Sequence, residues 1–120
     1  MELTNASTAL AALGHPTRLS VFRLLVEAGP EGTTPGRIAD ALALPGATLS
    51  FHLKELASAG LIGGEAQGRS IIYRADFGAM NGLIGFLTRN CCGGDAGRCL
   101  PAAPPSRTRT RSAPPSPEWP

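Results

Sequence analysis

Hydrophobic residues recur at helical spacing along most of the first ninety positions, and the pattern changes after Gly60. Apolar residues three and four positions apart place one face of a helix against a core. The pattern predicts helices over about residues 3–13, 16–28, 34–44, 47–60 and 77–92. The apolar positions expected to define the first two helices are Leu3, Leu10 and Leu13, then Leu19, Phe22, Leu25 and Val26.

Residues 61–76, "LIGGEAQGRSIIYRAD", have a different pattern from the helices around them. Two short apolar runs flank a polar tip at Gln67-Gly68-Arg69, which is typical of a β-hairpin. Two helices separated by a short turn at Pro45-Gly46 come directly before it. This order predicts a mainly α protein with a β-hairpin wing, the winged helix-turn-helix.

The helix predicted at 47–60 has the two faces that a DNA-reading helix needs. Leu49, Leu53 and Leu56 share one direction and are expected to face the core. The candidate DNA contacts lie on or beside the opposite face, with one more at the hairpin tip: Thr48, Ser50, Phe51, His52, Lys54 and Arg69. Lys54 can neutralise a phosphate, and Phe51 can contact a thymine methyl group.

Two other interpretations of this helix remain open. The domain could be a generic α+β fold in which Phe51 packs on a partner protein. His52, taken alone, is also typical of a partly buried histidine whose hydrogen bonds are satisfied. The order of the elements favours DNA binding more than any single side chain does.

Composition adds limits rather than a function. Residues 1–100 hold eight Lys+Arg and eight Asp+Glu, so the net charge of +2 comes from residues 101–120. DNA binding must therefore depend on where charges lie. No apolar run is long enough to span a membrane and no secretory signal is evident, so we expect a cytoplasmic protein without a membrane partner. The proline-rich segment 101–120 predicts a disordered tail.

The three cysteines lie within nine positions, at Cys91, Cys92 and Cys99. Glycines between them allow the chain to turn back, so three thiolates can converge on one soft ion. Trivalent arsenic fits three sulfur ligands best, and antimony is close, whereas zinc would need a fourth ligand. A methylated trivalent arsenical (methylarsenite) would need only Cys91 and Cys92. The alternatives are a thiol redox switch and an incidental reactive pair.

An enzyme is the remote alternative. Cys91 could act as a nucleophile in a small thiol enzyme, but no Cys-x-x-Cys motif, phosphate loop or nearby His/Asp pair supports catalysis. We therefore expect no enzymatic activity and no catalytic cofactor.

Three segments together resemble the ArsR/SmtB (arsenic-repressor) family of winged-helix regulators: "LGHPTRLSVFRLL" at 13–25, "TLSFHLKELASAGLI" at 48–62 and "GRSIIYRAD" at 68–76. The resemblance implies a homodimeric repressor that releases double-stranded operator DNA when a toxic metal or metalloid ion binds. It further implies dimerisation through the first and last helices, with Leu10, Leu83, Ile84 and Leu87 as interface residues. The cysteine cluster is similar to the C-terminal arsenic sites of some members.

The last helix also carries apolar residues on more than one face, which favours a partner surface, although an intramolecular core helix remains the alternative. The predicted organisation is a DNA-binding and dimerisation domain over residues 1–92, a glycine-rich segment over 93–100 that completes the metalloid site, and the tail over 101–120.

Overall fold

The computed structural model describes residues 1–94 of the 120-residue chain. The helices are α1 (Leu3–Leu13), α2 (Pro16–Ala28), α3 (Pro35–Leu42), α4 (Gly46–Ser58) and α5 (Phe77–Thr88), and the strands are β1 (Ile62–Gln67) and β2 (Ser70–Ala75). Short 3-10 turns cover Gly29–Glu31 and Cys91–Gly94. Within this described part, no helix combines the length and the apolar character that a bilayer span requires. The predicted winged helix-turn-helix, mainly helical with one hairpin, is confirmed.

α1 packs on the rest of the fold through small side chains. Its buried residues are Ala6, Ala9 and Ala12, whereas Leu3 is 71% exposed and Leu10 is 46% exposed. Small residues at spacings of three let helix backbones approach closely. Leu3 and Leu10 therefore do not contribute to the core of the single chain, whereas Leu13 packs against it.

α2 lies at the centre of the fold, where Val21, Phe22 and Leu25 are buried. The prediction that Leu19 joins this stripe is wrong, because its side chain is 44% exposed. Phe22 and Leu25 are buried as predicted, and Val21 rather than Leu19 completes the buried stripe. His15 caps the helix, since its Nδ1 accepts from the backbone N–H of Thr17 at 3.2 Å.

α3 and α4 form the helix-turn-helix. Thr34 caps α3, its hydroxyl accepting from the backbone N–H of Arg37 at 3.3 Å. The turn between the helices is residues 43–45, and Ala43 has the left-handed conformation, with φ 55° and ψ 48°. Gly46 is the first residue of α4 rather than part of the turn, so α4 begins one position earlier than predicted.

The hairpin is antiparallel and pairs Ile62 with Ala75 at its base and Gln67 with Ser70 at its tip. Gly68 takes φ +63° in the two-residue loop, a conformation that favours glycine. At the other end, Thr33 pairs with Tyr73 through hydrogen bonds of 3.0 Å and 2.8 Å. This bridge joins the segment before α3 to the wing.

α5 ends at Thr88, so the prediction that this helix reaches residue 92 is wrong. Asn90 takes φ 59° and Cys92 takes φ 56° and ψ 38°, and left-handed residues of this kind stop a right-handed helix. The glycine expected to end the helix, Gly93, does have a positive φ of 69°, but it comes after the break. Of the remaining predictions, segment 93–100 is described only to residue 94, and the tail lies wholly outside the described residues.

Candidate nucleic-acid interface

The inner face of α4 fixes which side chains point outward. Leu49, Leu53 and Leu56 are 1%, 3% and 0% exposed, as their shared direction predicts. They pack with Ile38 of α3 and Leu25 of α2 in one buried cluster. Because these leucines hold one face of the helix inward, the opposite face is held toward solvent.

That outer face carries four of the predicted DNA-contacting side chains. Thr48, Ser50, Phe51 and Lys54 are all exposed. Phe51 is 54% exposed, a large ring in solvent in the middle of the face. Together they present two hydroxyl groups, an apolar ring and a cation, which suit phosphate, base-edge and thymine-methyl contacts.

His52 has a different position from the one predicted. It is only 5% exposed and is the one buried polar or charged side chain of residues 1–94. Its Nδ1 accepts a hydrogen bond from Arg18 Nε at 3.3 Å, and its ring lies 4.7 Å from the ring of His15, centroid to centroid. The role of His52 as a direct DNA donor is therefore corrected to a role inside the protein, since burial removes its ring from the outer face.

Burial and neighbouring charge also keep the His52 ring neutral. Burial lowers the pKa of His52 below its usual value of 6.5, and the positive charges of His15 and Arg18 act in the same direction. Glu55 opposes the effect by raising the pKa.

The hairpin tip carries Arg69, which is exposed in the loop after Gly68. Arg74, a possible helper in DNA contact, is engaged elsewhere: its Nη1 donates to Glu65 at 2.6 Å and its Nε donates to the carbonyl of Pro30 at 2.9 Å. Arg74 therefore ties the two strands together and joins the wing to the end of α2. Arg69 remains the cation at the tip.

Between α4 and the wing lies an open groove of about 560 Å³. Its lining includes Ser50, Lys54 and Ser58 of α4 and Ile71 and Tyr73 of β2. The hydroxyl and ammonium groups on one wall are continuous with the outer face of α4, so this groove is part of the same surface.

The predicted dimer residues divide into two groups. Leu10, Ile84 and Leu87 are 46%, 53% and 58% exposed, so each presents apolar surface. Leu83 is only 7% exposed and belongs to the core cluster. Its assignment to the interface is corrected, because its side chain is already covered within the chain.

The cysteine pair lies in the 3-10 turn Cys91–Gly94. The backbone N–H groups of Gly93 and Gly94 donate to the carbonyl of Asn90 at 3.0 Å and 3.3 Å, and the Sγ atoms of Cys91 and Cys92 are 3.5 Å apart. Cys91 is a free thiol, whereas Cys92 is disulfide-bonded. The predicted third ligand, Cys99, lies outside the described residues, and residues 1–94 contain no group of three possible metal ligands.

The family model described as "Helix-turn-helix domain" matches residues 13–63, which include α2, α3 and α4. An ArsR-like transcriptional regulator from Rhodococcus sp. RHA1 superimposes with a TM-score of 0.65 and 26% sequence identity, over 79% of this chain and 85% of that one. This chain therefore contains a helix-turn-helix domain and is similar in fold to ArsR-like transcriptional regulators.

Other solved structures share this fold. A possible transcriptional regulator for arsenical resistance matches with a TM-score of 0.58 and 26% identity, over 66% of this chain and 79% of that one. A homodimeric winged helix-turn-helix domain from Mycobacterium bovis has the same fold, with a TM-score of 0.58, 23% identity and 72% and 81% coverage. Among curated protein sequences, none matches this chain. The proteins it resembles are transcriptional regulators, which are not enzymes.

Sequence patterns did not single out Arg18, although its side chain contacts both His52 and Phe51 of this site. Besides His52, it contacts the carbonyl of Ala12 at 3.4 Å and lies 5.8 Å from the ring centre of Phe51. Its position two residues after Pro16 places Arg18 in the first turn of α2. The spacing does not indicate which distant residues its side chain contacts.

Proposed function

We propose that this chain is a homodimeric, cytoplasmic repressor that binds operator DNA through α4 and the hairpin tip and is released by a trivalent metalloid. The observation that carries the DNA-binding half is the outward face of α4, with Phe51 exposed between hydroxyl groups and Lys54. The match to a helix-turn-helix family model and the likeness to ArsR-like regulators support the general class, a transcriptional regulator with a DNA-binding helix-turn-helix. Thr48, Ser50, Phe51, Lys54 and Arg69 are its proposed contacts.

The metalloid-sensing half depends on Cys91 and Cys92. Their Sγ atoms are 3.5 Å apart in a tight turn three residues after the end of α5, a separation at which one ion can contact both sulfurs once they are reduced. With Cys99 as the proposed third ligand, arsenous acid would exchange its three hydroxyl groups for three As–S bonds. The three thiol protons leave with these hydroxyl groups as three water molecules. Antimony would follow the same stoichiometry, and methylarsenite would use two thiols.

The site must be reduced before it can bind a metalloid. Cys92 is disulfide-bonded, and a disulfide sulfur is not a thiolate ligand. This bond also favours a second candidate function, in which the cysteines sense oxidants and the repressor responds to disulfide formation. The two functions share the fold and the operator, and they differ in how many thiols each signal consumes.

The test is a fluorescence titration with an operator selected from a random duplex pool, under a phosphine reductant because thiol reductants compete for arsenic. Arsenite is expected to weaken operator binding of the reduced protein by about 5–150-fold, the usual range of allosteric coupling. Cys92→Ser should bind the operator normally and ignore arsenite. Glu31→Gln, a control at an exposed residue outside both the cysteine turn and the surface of α4, should respond as the unsubstituted protein does.

Thiol counting separates the two signals. Loss of three thiols for each bound arsenic supports the metalloid site, and loss of two thiols with peroxide and none with arsenite supports the redox switch. Equal operator affinity with and without both reagents would refute sensing by these cysteines. No binding to any selected duplex would refute the repressor itself.

A further inference from the structure

Arg18 connects three parts of the fold through one side chain. From α2, its Nε donates to Nδ1 of His52 in α4 at 3.3 Å, and its Nη1 reaches the carbonyl of Ala12 in α1 at 3.4 Å. Its guanidinium carbon also lies 5.8 Å from the ring centre of Phe51, within the range of a cation–π contact. The buried end of this network is His52, and its exposed end is Phe51.

The hydrogen bond defines the protonation state of the histidine. An arginine can only donate, so His52 Nδ1 must be the acceptor and the ring proton must lie on Nε2. A doubly protonated ring has no acceptor left at Nδ1 and would place a second cation beside the guanidinium. Arg18 and the neutral form of His52 therefore require each other.

Phe51 contacts both members of this hydrogen bond, His52 and Arg18. The ring of His52 lies 5.5 Å from the ring of Phe51 in an edge-on arrangement, and Arg18 covers it on another side. An exposed phenylalanine ordinarily populates several rotamers, and restricting it to one of them on binding DNA costs conformational entropy. Contacts that already restrict the ring reduce that loss.

We infer that Arg18 is a positioning residue of the DNA-reading face, which orders Phe51 only while His52 is neutral, so that acid weakens operator binding. This inference rests on the proposed function, because it assigns a regulation to the same surface. The charged or titratable groups that act on His52 are His15 and Arg18 of the α2 region and Glu55 of α4. His15 and Arg18 disfavour the charged ring and Glu55 favours it.

The experiment is an operator titration at constant ionic strength between about pH 7.5 and about pH 5.5, the range in which histidines change charge. The unsubstituted protein should lose about fivefold in affinity toward the acid end, the effect of one lost hydrogen bond. His52→Gln keeps an acceptor but cannot be charged, so it should lose this pH dependence. A wild-type pH profile in His52→Gln would overturn the inference.

His15→Gln is the matched control, because these are the two histidines of the chain. Removing a charge that disfavours the His52 cation should keep the acid effect and move its midpoint to higher pH. Arg18→Lys keeps the charge without the forked geometry, so affinity at neutral pH should fall and the pH dependence should shrink. Unchanged affinity and an unchanged pH profile in Arg18→Lys would count against the positioning role.

A measurement without DNA separates failure of this inference from failure of the proposed function. Nitrogen NMR of the free protein should show His52 protonated on Nε2 alone at neutral pH, with a pKa below its usual value of 6.5. The aromatic signals of Phe51 should shift with the same midpoint. If His52 titrates normally, or Phe51 does not follow it, the inference is overturned even where operator binding is intact.

Discussion

α1 and α4 are both amphipathic, yet α4 buries its leucines and α1 leaves two of its three leucines exposed. α4 buries Leu49, Leu53 and Leu56 and exposes Phe51, whereas α1 buries three alanines and exposes Leu3 and Leu10. In α4 the large inner side chains hold the helix and leave the outer face exposed. In α1 the inner side chains are small, and Leu3 and Leu10 present apolar surface.

The difference shows that a hydrophobic residue at helical spacing does not by itself reveal what it packs against. Leu10 on α1 and Leu56 on α4 both satisfy the pattern, but their exposed fractions are 46% and 0%. We attribute the first to a partner surface and the second to the core. Substitutions at the two positions should therefore be felt in different measurements.

The largest expected effect is on folding, from Leu56→Ala. Removing a fully buried leucine side chain loses its transfer free energy and leaves a cavity, which costs about 2–5 kcal/mol of unfolding free energy. Urea denaturation at a fixed protein concentration measures it. Leu19→Ala, at a leucine that is 44% exposed, should cost less than about 1 kcal/mol, and equal losses at both positions would contradict the assignment of the core.

A smaller effect is expected on assembly, from Leu10→Ser. If the leucines of α1 meet a second copy, each dimer loses two buried leucine contacts, and its dissociation constant should rise by about tenfold or more. Sedimentation equilibrium measures the constant. Leu19→Ser is a matched control of nearly equal exposure, and a similar shift in both variants would place the dimer surface elsewhere.

The smallest expected effect is on the pH dependence of stability, through His52, the buried polar side chain of α4. Because the pKa of His52 is lower in the folded chain than its usual value of 6.5, the unfolded chain binds more protons between the two values. The contribution of neutral His52 to the free energy of unfolding is fully present above pH 6.5. It is lost as the pH falls through 6.5 toward the lower pKa of the folded chain. The loss is at most about 1.4 kcal/mol per pH unit.

Denaturation midpoints measured across that interval test this linkage. His52→Gln should flatten the slope, because a glutamine takes up no proton there. A slope unchanged by the substitution would assign the pH dependence to other groups.

The sequence allowed most of the fold to be predicted, because each element carried its own local signal. The change of hydrophobic period after Gly60 predicted the hairpin. The leucines of α4 sufficed to orient that helix. The burial of Leu19 was mispredicted because apolar residues lie on more than one face of α2. The end of α5 was mispredicted because it depends on the left-handed backbone conformation of Asn90.

The site was less predictable than the fold, since its contacts join residues far apart in the chain. Arg18 and His52 are 34 positions apart, and Arg74 and Pro30 are 44 apart. His52 lies next to the core stripe of α4, so its helical angle alone could place it inside or outside. Only the position of α2 decides that it is inside.

Several contacts hold the wing against the rest of the fold, and the close approach of Gly32 to Tyr73 has a practical consequence. A Cβ at Gly32 would lie 2.3 Å from the carbonyl oxygen of Tyr73, so any larger residue there must push the hairpin away. The angle of the wing is thus set by a site remote from both the loop at Gly68 and the side chains of α4. An engineer could therefore exchange the tip sequence, or the outer residues of α4, to retarget the protein without redesigning how the two are held together.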